Sequence, residues 1–376
     1  MLAPRARTLL GMTLGCLIAS CGGGGGSTGT TSSGTPPPPA SASLLFVTNG
    51  SVGTIDVMTV DNTSGVPKPI SGSPFADGPS PVAAAVDPQK RYLYVASSTG
   101  EVRGYQIASG GSLSAMSGSP FVTGADSVAV AVDAGSQFVL TANGTSNTVS
   151  VFKIGAGGTL TQVSGSPFAA GNDPDAIVVA PGNYVYAGNK GDGTISAYTM
   201  DMSSGALTAV AGSPFPAGGH PLSIVVDPSG THVYTADATP NAVSGFAITS
   251  GTGALTAISG SPFAEQNGAA LAIVMDHAGI LLHVANGTNV DCYQVDATSG
   301  ALTWLGGSVS NGRATALAAD DPDYFVYALD NVDNQLEVFS INPVVFNLAL
   351  IPGNPYALFQ GSGGQSLGPT SITFAR

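Results

Sequence analysis

The chain has 376 residues, only 9% of them charged, with a net charge of −13, 52 glycines and 26 prolines. Ten Lys plus Arg cannot supply a phosphate-tracking stripe, which excludes a nucleic-acid partner, and an anionic membrane surface would repel the folded part. Turn formers spread through the whole length, with helix formers scarce, point to an all-β protein.

The chain opens with a targeting segment. Arg5 and Arg7 precede the apolar stretch 8–19, "TLLGMTLGCLIA", which has signal-peptide length and is short for a bilayer span. "LIASC" follows and resembles the lipobox of bacterial lipoproteins, in which cleavage falls directly before a cysteine that then carries lipid. Residues 1–20 are therefore expected to be a lipoprotein signal peptide; an ordinary secretory signal is the alternative. Residues 21–43 read as the lipidated Cys21 plus a Gly/Ser/Pro-rich tether with a span of roughly 25 Å. Cys16 would leave with the signal, so only Cys292 remains in the folded part and no disulfide can form there. The expected location is the bacterial cell envelope, on the periplasmic side or the surface, held by lipid on Cys21.

From residue 44 onward the sequence repeats. "SGSPF" ends at Phe75, Phe121, Phe168 and Phe263, "AGSPF" at Phe215, and weathered copies end at Val309 and Tyr356. The spacings of 46, 47, 47, 48, 46 and 47 residues lie in the range of β-propeller blades. Each period holds four strand-like pieces. In the fourth copy they are 220–230 with its turn, 231–237, 241–248 and 253–263, rich in β-branched and aromatic residues at period two. No sustained 3.6-residue period predicts a helix. The repeat starts in phase with a second strand at 44–51 and ends with a first strand at 368–376, so the last strand is expected to complete the first blade and close the ring. A linear solenoid would instead need atypical capping repeats at its ends. In this scheme Gly-Ser-Pro kinks the chain where the outermost strand finishes, and the aromatic residue plugs the gap between neighbouring blades. The predicted architecture is a closed seven-bladed propeller over 44–376, behaving as a monomer.

"FVTNGSVGTIDVM" (46–58), "LTANGTSNTVSVF" (140–152) and "HVANGTNVDCYQV" (283–295) resemble the YVTN-type repeat of bacterial surface propellers. The region 44–376 resembles the lactonase-like family of seven-bladed propellers, which includes 6-phosphogluconolactonase-type and muconate-cyclising enzymes. The resemblance implies a "GPRH" stretch opening one blade and a "NEL" stretch after its second strand. The corresponding region here is 312–339. Counting back from its Asp-Pro turn puts the family's Arg and His on Thr315 and Ala316, and the Glu on Asn331, with Arg313 two positions early. All three carriers are absent in that register.

Other candidate chemistry reads as turn-making. Asp87-Pro88, Asp227-Pro228, Asp276-His277 and Asp321-Pro322 recur after the first strand and fit turns in which the Asp accepts from the backbone. The stretches beginning at Asp61, Asp201 and Asp296 lack the alternating oxygen ligands of a calcium loop and read as hairpins. A G-x-S-x-G match at Gly25–Gly29 lies in the tether, without the strand and helix of a nucleophile elbow. Cys292 aligns with Val151 as a small buried hydrophobe. No metal or cofactor motif occurs, and no cofactor is expected.

The remaining polar positions cluster at one end of the repeat. Loops entering each first strand carry Asp126, Asp175, His220 and Arg313; loops after each second strand carry Asn49, Asn143, Asn189, Lys190, Asp237, Asn286 and Asp330. In a propeller these places share one face, so they are expected to surround the channel mouth, the default binding location. His220 and Arg313 are the low-rank catalytic candidates, as base and carbonyl-polarising group. His232, His277 and His283 carry no site signal. Two functions remain open: a lipid-anchored binding or scaffold module at the envelope, taking a small-molecule or protein ligand at the channel, or a lactone hydrolase of the resembled family.

Overall fold

The structure is a computed structural model that describes residues 43–310, 312–320, 324–342, 346–358 and 368–375. Seven antiparallel sheets follow one another, and their inner strands touch in sequence around a ring. The inner strands are Pro81–Val86, Ser127–Val132, Pro174–Ala180, Pro221–Val226, Ala272–Met275, Ala314–Ala319 and Pro369–Ala375. The last of these pairs antiparallel with Ser43–Asn49, setting Leu45 against Phe374 and Val47 against Ile372. It also touches the inner strands of the second and seventh blades. The first blade is therefore built from both ends of the repeat region. Among the described residues the sole helical element is the 3₁₀ turn Ala156–Gly158.

The second strands show why the chain needs so many apolar residues. Phe138–Asn143, Tyr184–Asn189, His232–Asp237 and Phe325–Asp330 are buried at every position. Both faces of a blade pack on neighbouring blades, so period-two alternation gives way to burial on both sides. Three of these strands, and Tyr92–Ser97 of the second blade, carry a tyrosine that reaches the next blade. The hydroxyls of Tyr94, Tyr186, Tyr234 and Tyr327 donate to the carbonyls of Gly158, Gly253, Gly300 and Gly65 at 2.8–2.9 Å. The equivalent places in the first, third and sixth blades hold Phe46, Leu140 and His283.

The repeated phrase interrupts the outer strand; it does not end it. In the third blade, Leu160–Gln162 and Phe168–Ala169 both pair with Thr148–Ile154, and "VSGSP" loops out between them. Gly165 sits at φ +86, in the left-handed region, and the Ser166–Pro167 peptide is cis. Where the ladder is broken, the Ser166 hydroxyl accepts from the Val151 amide at 2.9 Å, in place of a strand carbonyl. Ser73, Ser119, Ser213 and Ser261 repeat this bond, and the Asn354 side chain serves the seventh blade. Phe168 then packs with Phe138 and Leu140 of its own blade and Val185 of the next, as expected for an inter-blade plug. The sixth blade lacks the proline, and its outer strand Leu302–Val309 runs unbroken.

The turn carboxylates behave as expected, with one shift of place. Asp87, Asp133, Asp227 and Asp276 each accept two backbone amides four and five residues on. In the seventh blade Asp320 does this, accepting from Tyr324 and Phe325. The expected carboxylate, Asp321, lies with Pro322 outside the described residues. Asp61, Asp201 and Asp296 likewise accept amides of their own hairpins.

Candidate functional site

Strand register defines the mouth. Pro221 pairs with Asp237, and Ala314 with Asp330, so His220 and Arg313 occupy equivalent positions just before their inner strands. The other blades place Gly368, Ser80, Asp126, Asp173 and Ala269 there. A β-bulge follows in most blades, and in the fourth it carries Asp175. Backbone bonds lock this ring to the loops after the second strands: Gly144 donates to the Asp126 carbonyl, Lys190 to that of Asp173, and His220 to that of Thr239. A cavity of about 460 Å³ lies on this side, lined by Ser51, Ser80, Val82, Asn331 and Thr370. A second, of about 580 Å³, flanks the last residues of the inner strands at the opposite end, lined by Val86, Val274, His277, Leu317 and Phe374.

The strand-end residues expected at the mouth are almost entirely buried. Asn143 donates to Thr148 and Ser150 and accepts from Ser127 and Thr141; Asn189 donates to Thr194 and Ser196; Asn49 donates to Thr54 and Asp56. Asn286 bonds Glu265 and Asp291, and its carbonyl accepts the Asn289 amide. Each side chain braces its own hairpin beneath a covering loop; a Cβ on Gly171, for example, would lie 2.5 Å from the Asn189 amide nitrogen. The solvent-facing polar groups are instead those of the ring before the inner strands.

His220 is exposed, and its Nδ1 lies 2.6 Å from the Lys190 carbonyl. A carbonyl can only accept, so Nδ1 carries the hydrogen, and the neutral ring presents its lone pair at Nε2. Lys190 Nζ lies 3.6 Å from Asp175 and 3.8 Å from Asp173. Burial pushes the Asp175 carboxyl up from its ordinary value, with Lys190 opposing the shift and Asp173 adding to it. Asp237, fully buried, accepts from Ser244 at 2.6 Å, and burial pushes it up to about 6 against the pull of that bond and of His220. Arg313 is exposed, with Nε 4.0 Å from where a Cβ on Gly287 would stand. The structure thus gathers His220, Lys190, Asp173 and Asp175 on the fourth and fifth blades. Arg313 stands apart on the seventh, with the Ala269 position between.

Three features escaped the sequence reading. The first is Asp173, equivalent in place to His220. The second is a buried acidic pair in the sixth blade, where Glu265 accepts from Tyr293 at 2.8 Å and Asp291 is clamped by Asn267. Burial pushes both carboxyls up, and their proximity raises Glu265 further. The third is the register of the seventh blade. With Asp320 as the turn carboxylate, the positions counted back from it move to Ala314 and Thr315, and Arg313 stands one residue early instead of two.

Fold and mouth together define a closed seven-bladed propeller with a polar opening at one end of its channel. The chain belongs to the lactonase family of seven-bladed β-propellers, whose model matches residues 44–355. Solved structures of the same fold include a Bacteroides uniformis protein provisionally called a 6-phosphogluconolactonase, at 21% identity and TM-score 0.75, covering 89% of this chain and 99% of that one. A periplasmic gluconolactonase of Pseudomonas aeruginosa is similar at 20% identity and TM-score 0.74, again covering 89% and 99%. At these identities the likeness shows the fold. A search of curated protein sequences returns no match.

Proposed function

We propose that the protein is an exported lactonase-family hydrolase that opens the ring of a small hydroxylated lactone at the channel mouth. The observation that carries this reading is His220, solvent-facing on the ring before the inner strands, its Nδ1 committed to the Lys190 carbonyl and its Nε2 without a partner among the described residues. In the reaction His220 takes a proton from water, the water oxygen attacks the lactone carbonyl, and the ring C–O bond breaks. The proton returns to the departing ring oxygen, which yields a hydroxy acid. Arg313, apart on the seventh blade, has no part in this step.

The test is acid release from glucono-1,5-lactone by residues 44–376. His220→Ala is expected to lower kcat/KM at least 100-fold, the lower range for removing a general base. Undiminished turnover would remove the site assignment. A second reading, a binding module without turnover, is favoured by Ala314, Thr315 and Asn331 standing where the resembled enzymes carry Arg, His and Glu. A ligand that raises Tm but is not opened would support it. Export rests on the sequence before residue 44; Cys21→Ser is expected to release the protein from the membrane fraction, and continued retention would count against lipid anchoring.

A further inference from the structure

We propose that Asp237 and Asp330 are positioning residues for the two basic groups of the mouth, Asp237 for His220 and Asp330 for Arg313. Each pair would offer a separate polar contact to a hydroxy-acid ligand. The ligand class rests on the reading above; the pairing does not.

The repeat itself supplies the comparison. At the seven equivalent ends of the second strands, five blades carry an amide or hydroxyl: Asn49, Ser97, Asn143, Asn189 and Asn286. Two carry a carboxylate, and they are the two blades whose residue before the inner strand is basic. Where that residue is Asp126 or Asp173, the strand end is Asn143 or Asn189, and a carboxylate would set like charges together. Each Asp lies directly across the ladder from the residue following its basic neighbour.

Both carboxylates are buried and only partly satisfied. Asp237 accepts from Ser244, while its other oxygen has no bonded partner among the described residues; Thr235 is the remaining polar side chain facing it, and His220 the basic one. Asp330 accepts the Val332 and Asp333 amides through one oxygen, and the other is unpartnered among the described residues. Glycines crowd over both: a Cβ on Gly219 or Gly312 would collide with Asp237 or Asp330. The residue before each basic group is thus pressed onto the carboxylate, which fixes where the basic side chain leaves the chain. A buried charge without a full set of donors is retained at a cost unless a nearby cation uses it.

The experiment uses the full chain and the variants Asp237→Asn and Asp330→Asn, which restore the amide that four other blades tolerate. Gluconate is the probe. Calorimetry is expected to show its binding weakened roughly five- to tenfold in each variant, with Tm changed by little, as removal of a charge supporting one ligand contact would give. Independently, the Asp237 carboxyl is followed by NMR in His220→Ala, where loss of the ring that favours the carboxylate is expected to move its midpoint upward by roughly half a pH unit. An unmoved midpoint, or gluconate binding equal to wild type in both variants, overturns the proposal whether or not any lactone is turned over. Lactone turnover that fails while the midpoint moves overturns the hydrolase reading alone.

Discussion

His283 stands where four other blades place a tyrosine, and neither of its ring nitrogens has a hydrogen-bond partner among the described residues. Burial holds its pKa down, from 6.5 to about 4. A depressed histidine contributes stability that is present above its ordinary value and lost as the pH falls from 6.5 towards 4. His283→Leu fills the same space without a group that must charge. Its stability relative to wild type is expected to grow by about 2–3 kcal/mol between pH 7 and pH 4.5, read from urea midpoints. An equal difference at both pH values would mean that the ring finds protons without unfolding. Asp237 has the opposite sign: its carboxyl is pushed up to about 6, so its share of native stability is present below 3.8 and lost as the pH rises through 6.

At the scale of the element, the interrupted outer strand is held by one side chain per blade. Ser166→Ala removes the acceptor given to the Val151 amide at the break and is expected to lower stability by about 1–2 kcal/mol, with hydrogen exchange quickening at that amide. The period, the strand count and the role of the Phe were legible in the sequence, because each is local chemistry repeated. What was hidden depends on partners far along the chain. The return of Phe168–Ala169 to the third strand is set by a pairing that the Gly-Ser-Pro kink conceals. Asp320 and Asp321 are indistinguishable by pattern, and the ladder alone selects the first. The His220 bond spans 30 residues, and the burial of Asn189 follows from Gly171 closing over it. The mouth was therefore readable as a face of the molecule, while its division into inward braces and outward groups was not.

For the whole molecule, the tyrosine hydroxyls of the second strands hold four of the seven junctions of the circle. They tie the second blade to the third, the fourth to the fifth and sixth, and the seventh to the first. The three remaining junctions have rivets of another kind: Tyr105 donates to Asp77 between the first and second blades, Tyr198 to the Ala169 carbonyl between the third and fourth, and Ser310 to Glu337 between the sixth and seventh. Removing one tie, as in Tyr186→Phe, is expected to quicken deuterium uptake first along the line between the fourth and fifth blades on gentle warming, since opening follows the interfaces with the fewest bonds. Uniform uptake around the circle would show that the rivets carry little. The bond from the His220 ring to the Lys190 carbonyl crosses that same line between the fourth and fifth blades, so the mouth would loosen where the tie is lost.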